Sequence, residues 1–360
     1  MKKLIGPFIV ATLALTSCSN QKTKNESEDF KQQVDPKQEF AKLNEFLRKF
    51  DEPSQIFKAP TDKLIKVKGK QGTIIHINPT DLETESGQQI GKEVTIELKE
   101  LTNQQKLLRA NSQTVSDGQL LVSGGAYYIN AISEGKKVKL KEGKTYFVEF
   151  SQLSKDEMTL YYGQRDSSNK MNWKQAEQRF EISKSKMDSP KEYEAVIVNG
   201  RGKFSDTSRV AMKNISKEEK AKMEKEEKIN NKVYNPVVIN KFGWINCDRL
   251  FKPDSPRTNI QFAITNNAEE VNYVNVYLIF QDIKSVMQNS YYFEEDKIEQ
   301  DQFRNIPAGM TIKFLAVCYQ HEKILAVLTD TMQAKTNQNV KLTLQAMNES
   351  DFDKLLKKLE

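Results

Sequence analysis

The chain has 360 residues, 38% hydrophobic and 29% charged, which is enough apolar material for two cores of ordinary size with charged connections. Its formal charge of +6 falls to +4 once Lys2 and Lys3 leave with a leader, too mild a balance to imply nucleic acid or another polyanion as partner. Two histidines, and two cysteines beyond the one in the leader pattern, leave little material for a zinc site of the usual kind, and no Cys-x-x-Cys spacing is present.

Met1-Lys2-Lys3 is a positive start, Leu4 to Leu15 is an apolar run of about twelve residues, and Leu15-Thr16-Ser17-Cys18 closes it. The run is too short to span a bilayer as a helix. The closing tetrapeptide resembles the lipobox of bacterial lipoproteins. That resemblance implies that residues 1–17 are a lipoprotein signal peptide and that Cys18 is diacylated, with palmitate-type chains, becomes the new N-terminus and is acylated again. Several chains at about 0.8 kcal/mol per buried CH₂ hold a protein stably on a membrane, where one chain does not. Ser19 rather than Asp follows Cys18, which resembles the pattern sorted to the outer membrane, so the expected place is the cell envelope on a lipid anchor.

Residues 18–35 read as a spacer. Phe30 is the one large apolar residue between Ser19 and Gln33, too little to offset chain entropy. Phe40, Leu43, Leu47 and Phe50 then fall at helical spacing after Asp35-Pro36, predicting a short amphipathic helix that Pro53 ends. Ile56 to Val67 is strand material, and Lys63, Lys66, Lys68 and Lys70 read as a solvated strand face.

From Gly72 to Phe150 short alternating stretches predict a β-sandwich. Val94, Ile96 and Leu98 point one way and Thr95, Glu97 and Lys99 the other; Val138 and Leu140, then Tyr146, Val148 and Phe150, repeat the period. Glu134-Gly135-Lys136 and Lys141-Glu142-Gly143-Lys144 are turn material. The stretches Gly72–Ile77, Gly91–Leu98 and Leu120–Ala131, the last with Gly124-Gly125 ahead of an aromatic-rich strand, resemble the ZU-five-type module. That module is the β-sandwich of zonula occludens proteins, ankyrins and netrin receptors, and it also occurs in bacterial lipoproteins. The resemblance covers about a quarter of the chain and implies a protein-interaction or scaffolding role. Some members cleave themselves at a His-Phe-Ser or similar tripeptide. Here the histidines, His76 and His321, are followed by Ile77 and Glu322, so that chemistry is not implied.

Met158–Gly163 and Met171-Asn172-Trp173 read as strands that resemble a continuation seen in the same lipoproteins. Tyr161, Tyr162 and Trp173 either pack the sandwich or form a sugar-binding platform. Glu192 to Val198 adds a further candidate strand. Between Ser216 and Lys228 nearly every residue is Lys or Glu, with Ser216 and Glu219 as a capping box, which predicts a charged helical connection. Gly243–Arg249 again looks like those lipoproteins. Strands are expected at 259–265, 271–281, 311–319, 323–330 and 340–346, with Gln320-His321-Glu322 as a hairpin turn and a closing helix over 351–359 capped by Ser350.

The expected fold is mainly β: a ZU-five-like sandwich with its preceding helix over 36–205, a helical linker over 206–232, and a second sandwich-like domain over 233–360, with a short helix at either end. The sequence carries no Gly-x-Ser-x-Gly elbow and no phosphate loop, and the adjacent Glu294, Glu295 and Asp296 suit a solvated loop. No cofactor and no metal are expected. The remaining catalytic candidate is a Cys247 thiol with His321 as base and Asp248 or Asp282 orienting it. Cys247 and Cys318 read either as two buried thiols or as a disulfide. The expectation is a non-catalytic, lipid-anchored envelope protein that binds or scaffolds an envelope protein or glycan, bound to the membrane through Cys18. The alternative is a glycan-capture protein or hydrolase using Tyr161, Tyr162 and Trp173 or Cys247 and His321.

Overall fold

The computed structural model describes residues 36–151, 157–166, 169–179, 237–252, 254–266, 271, 273–292 and 300–359. Cys18, the spacer, the expected strand at 192–198, the charged linker and the Glu294–Asp296 loop lie outside the described residues. Within them the protein is mainly β.

The described chain opens with helix α1 (Pro36–Arg48), then strands β1 (Gln55–Pro60), β2 (Ile65–Lys68), β3 (Ile74–Ile77), β4 (Leu82–Thr84) and β5 (Glu93–Leu101). The short helix α2 (Gln104–Arg109) follows, begun by Asn103, whose side chain accepts from the Lys106 amide. Next come β6 (Val115–Ser116), β7 (Gln119–Ser133), β8 (Lys136–Leu140), β9 (Tyr146–Glu149), β10 (Thr159–Arg165) and β11 (Met171–Arg179). Beyond the charged segment lie β12 (Val237–Ile239), β13 (Gly243–Leu250), β14 (Arg257–Asn266), β15 (Tyr273–Phe280), β16 (Ser285–Tyr292), β17 (Gln300–Pro307), β18 (Thr311–Gln320), β19 (Lys323–Leu328), β20 (Met332–Gln333) and β21 (Gln338–Met347). Helix α3 (Glu349–Lys357) closes the described chain. Its cap is Asn348, which accepts from the Asp351 amide at 2.9 Å, rather than the expected Ser350.

Among the described residues the strands form three sheets. A nine-stranded sheet runs β1-β5-β7-β13-β10-β11, with β4, β6 and β8 attached along β7 and β8; a four-stranded sheet runs β12-β9-β3-β2; an eight-stranded sheet runs β16-β15-β18-β19-β21-β14-β17, with β20 on β18. The first two enclose a core of Val94, Ile96, Leu98, Tyr127, Ile129 and Val148, among others, so the alternation seen in the sequence does face a sandwich interior. The third encloses Phe262, Leu278, Phe303, Phe314 and Leu342 on one face. Its other face presents Tyr277, Ile279, Leu315 and Val317 to helices α1, α2 and α3 through Phe46, Leu108 and Phe352. Covered on both sides, β15 is buried at every residue, as a strand without a wet face must be.

The two-domain division expected at residue 233 is corrected by the pairing. β12 pairs with β9, and β13 lies between β7 and β10, so strands from beyond the charged segment complete the N-terminal sandwich. Conversely, α1 packs its Leu43, Phe46 and Leu47 onto the C-terminal sheet rather than onto the sandwich it precedes. Asp35–Glu360 is accordingly one compact unit. Segment 113–123 joins the halves by covering the edge of β16: Thr114 N–H donates to Val286 O at 2.8 Å, Val286 N–H to Thr114 Oγ1 at 2.9 Å and Gln288 N–H to Gln113 Oε1 at 3.1 Å. A strand edge that would otherwise expose unpaired amides is thereby closed.

The strand expected over 56–67 is two strands in different sheets, because the exposed turn around Asp62 carries the chain from the outer edge of one sheet to the outer edge of the other.

Candidate functional site

The three aromatics proposed as a sugar platform do not share a surface. Strand period two sends Tyr162 into the sandwich core, while Tyr161 and Trp173 go to the opposite face of the sheet with Leu101, Leu121 and Met171. Tyr161 is 1% and Trp173 0% exposed. The Trp173 indole donates to Gln113 O at 2.6 Å, burial with Asp248 nearby pushes the Tyr161 phenol up to about 12, and Lys241 Nζ lies 4.3 Å from the centre of the Tyr162 ring. The spacing of Gly163 and Trp173 has a packing cause. They are cross-strand partners, and a Cβ on Gly163 would stand 2.7 Å from Trp173 Cζ3. The platform is corrected to interior packing.

The catalytic candidates are not brought together either. Cys247 is fully buried in the sandwich core, where burial and then Asp248 push its thiol well above the usual range, the reverse of what an attacking thiolate needs. His321 occupies the β18–β19 turn of the other sheet, and Asp282 accepts from the Thr311 amide at 2.7 Å. Cys247 and Cys318 are buried in separate cores and form no disulfide with each other. Among the described residues no group of three or more His, Cys, Asp or Glu could hold a metal ion. His76 Nε2 lies 2.9 Å from Glu149 Oε1 across β3 and β9.

Gly124-Gly125 has a definite structural task. Between Asn246 and Asp248 of β13 the opposing β7 residues step from Ala126 to Ser123, so the two glycines face Cys247 alone in a β-bulge. Gly125 takes φ +110°, and a Cβ on Gly124 would lie 2.4 Å from Cys247 O. The Gly124 amide donates to Asp248 Oδ1 at 3.1 Å, and Asn246 Nδ2 lies 2.5 Å from Asp248 Oδ2. Burial outweighs these bonds and pushes the Asp248 carboxyl well above its ordinary range.

A further surface feature lies where the lysine-rich stretch of the sequence suggests an ordinary wet face. β1 ends the nine-stranded sheet and β2 ends the four-stranded sheet on the same side of the sandwich. Between them lies a groove of about 630 Å³ whose floor and rims include Phe57, Ile65 and Val67. Ile56 and Leu64, on its lining, are 55% and 47% exposed. Lys58, Lys63, Lys66 and Lys68 also line it. Lys58 is 3.8 Å from Glu93, with both side chains well exposed. The signal in the sequence was the joint recurrence of lysine and aliphatic residues over 56–68.

Compared with protein-family models and with curated proteins, the chain matches none.

Proposed function

We propose that this protein is a lipid-anchored cell-envelope protein of the outer membrane whose β body binds or scaffolds another envelope component without turning it over, and that its sandwich is of the ZU-five type. The observation that carries the reading is the Leu15-Thr16-Ser17-Cys18 lipobox after a positive, apolar leader. It is supported by Asp248, a buried acid that serves strand geometry at the Gly124 bulge, and by a basic, part-apolar groove at an open sheet edge. Function then resides in what the surface captures.

The test is photo-cross-linking in intact cells with a reactive residue placed at Leu64 or, as a control, at the exposed Glu142. The reading expects a discrete adduct at 64 in the membrane fraction, weak or absent at 142, and lost from that fraction when Cys18→Ala releases the protein. Equal adducts at both positions, or none at either, contradict it.

A further inference from the structure

We infer that the β1–β2 edge takes an extended acidic peptide segment of a partner protein, added to β1 as a further strand. The inference rests on the binding-protein reading and specifies the partner's chemistry.

Among the described residues β1 pairs only with β5, and β2 only with β3. A terminal strand leaves alternate N–H and C=O groups pointing outward, each able to take a strand-forming peptide. The protein closes a comparable edge elsewhere, where Thr114 and Gln113 cover β16; no described residue covers β1 or β2 in that way. β1 has six residues, so an added strand of about six to eight residues, at about 3.3 Å each, would run its length.

The side chains say what kind of strand. Successive residues of an added strand alternate between the groove and solvent. On the side of β1 that faces the sandwich core the groove offers Phe57, while the exposed Ile56 stands on its outer face and the exposed Leu64 on the connection to β2, so the core-facing positions of an added strand suit Val, Ile or Thr. The charge is one-sided: residues 55–70 contain five lysines and one acid, Asp62. Among the described residues no carboxylate pairs with Lys63, Lys66 or Lys68, whereas Lys58 has Glu93. Lysines on an edge strand repel further copies of this basic edge, and the same field attracts a segment rich in Asp or Glu and steers its approach. A lipid surface would use the charge and the aliphatic side chains but not the unpaired backbone groups. The combination of all three favours a peptide.

The test uses the full lipidated protein in an uncharged detergent and a fluorescent peptide of eight residues alternating Glu with Val, followed by anisotropy. Two N-methylated versions, each blocking one alternate set of amides, a Lys/Val counterpart and phosphatidylglycerol vesicles are measured alongside. The expected result is saturable binding of the Glu/Val peptide and at least about a tenfold loss for one N-methylated version. A similar loss is expected in the exposed-site variant Lys63→Glu with Lys66→Glu and Lys68→Glu, whose folding is checked by circular dichroism, with no saturable binding of the Lys/Val peptide. Absence of binding overturns the inference, as does binding indifferent to both N-methylated versions or to the lysine changes. Lysine-dependent vesicle binding without peptide binding overturns it in favour of a lipid surface. A protein that partitions to membranes and cross-links at Leu64 yet ignores the peptide keeps the envelope reading and loses this inference; peptide binding by a protein that never reaches a membrane does the reverse.

Discussion

Gly124 and Asp248 are joined across the β7–β13 bulge by a 3.1 Å hydrogen bond from the glycine amide to the carboxyl oxygen. The close approach that makes the bond leaves no room for a side chain, since a Cβ there would lie 2.4 Å from the Cys247 carbonyl oxygen. Gly124→Ala is therefore expected to cost about 3 kcal/mol, because backbone rather than a flexible side chain must move. Gly118→Ala, at φ +80° with nothing within 4 Å, is expected to cost only about 1 kcal/mol. Urea titration of both variants checks this, and equal losses would contradict the role of the bulge.

Asp248 gives the fold a pH signature. Its carboxyl is raised by burial, so the folded state holds a proton that the unfolded state releases above about pH 4. Its contribution to stability is full below that point and is lost as pH rises toward the folded-state value. The stability of the native protein minus that of Asp248→Asn should thus fall as pH is raised from about 4 to 7, by up to about 1.4 kcal/mol per unit. A difference that is flat or rises over that interval would contradict the buried neutral acid.

His321 and Glu322 form the two-residue β18–β19 turn, with φ of +48° and +59°. Such a turn prefers Asn-Gly, which takes positive φ at less cost. Replacing the pair by Asn-Gly should stabilise the protein by about 1 kcal/mol, read as a raised urea midpoint. If His321 instead served a binding or catalytic task, the exchange would cost activity toward the partner; unchanged cross-linking at Leu64 is the expected companion result.

Phe46 ties the N-terminal helix to the C-terminal sheet, stacked on Tyr319 at 4.5 Å and near Phe352 at 5.5 Å. Phe46→Ala should cost about 3–5 kcal/mol, and thermal unfolding should remain one transition because the halves exchange elements. Two separated transitions would favour the division at residue 233.

The parts of this fold legible in the sequence are those fixed by local pattern. Val94, Ile96 and Leu98 alternate and face the core, and Glu134-Gly135, at φ +50° and +74°, makes the two-residue β7–β8 turn. What was not legible depends on partners distant in the chain. Composition falls to Lys and Glu after residue 216 and suggests a boundary, yet Ile245 and Cys247 fill the sandwich on the near side of it. The pair Tyr161 and Tyr162 looks like a surface feature until strand alternation puts one ring in each of two cores. Helix α2 is too short for a period to show, and only Asn103 announced its start. The β1–β2 groove was hidden because neighbours in sequence, Lys58 and Lys66, end two different sheets.

Whether lipid on Cys18 holds the binding body at the envelope is read from the intact mass of the protein extracted from membranes. The expected mass is that of a chain that begins at Cys18 and carries acyl groups, which are lost in the Cys18→Ala variant. A chain that keeps Met1, or that begins elsewhere without lipid, would contradict it.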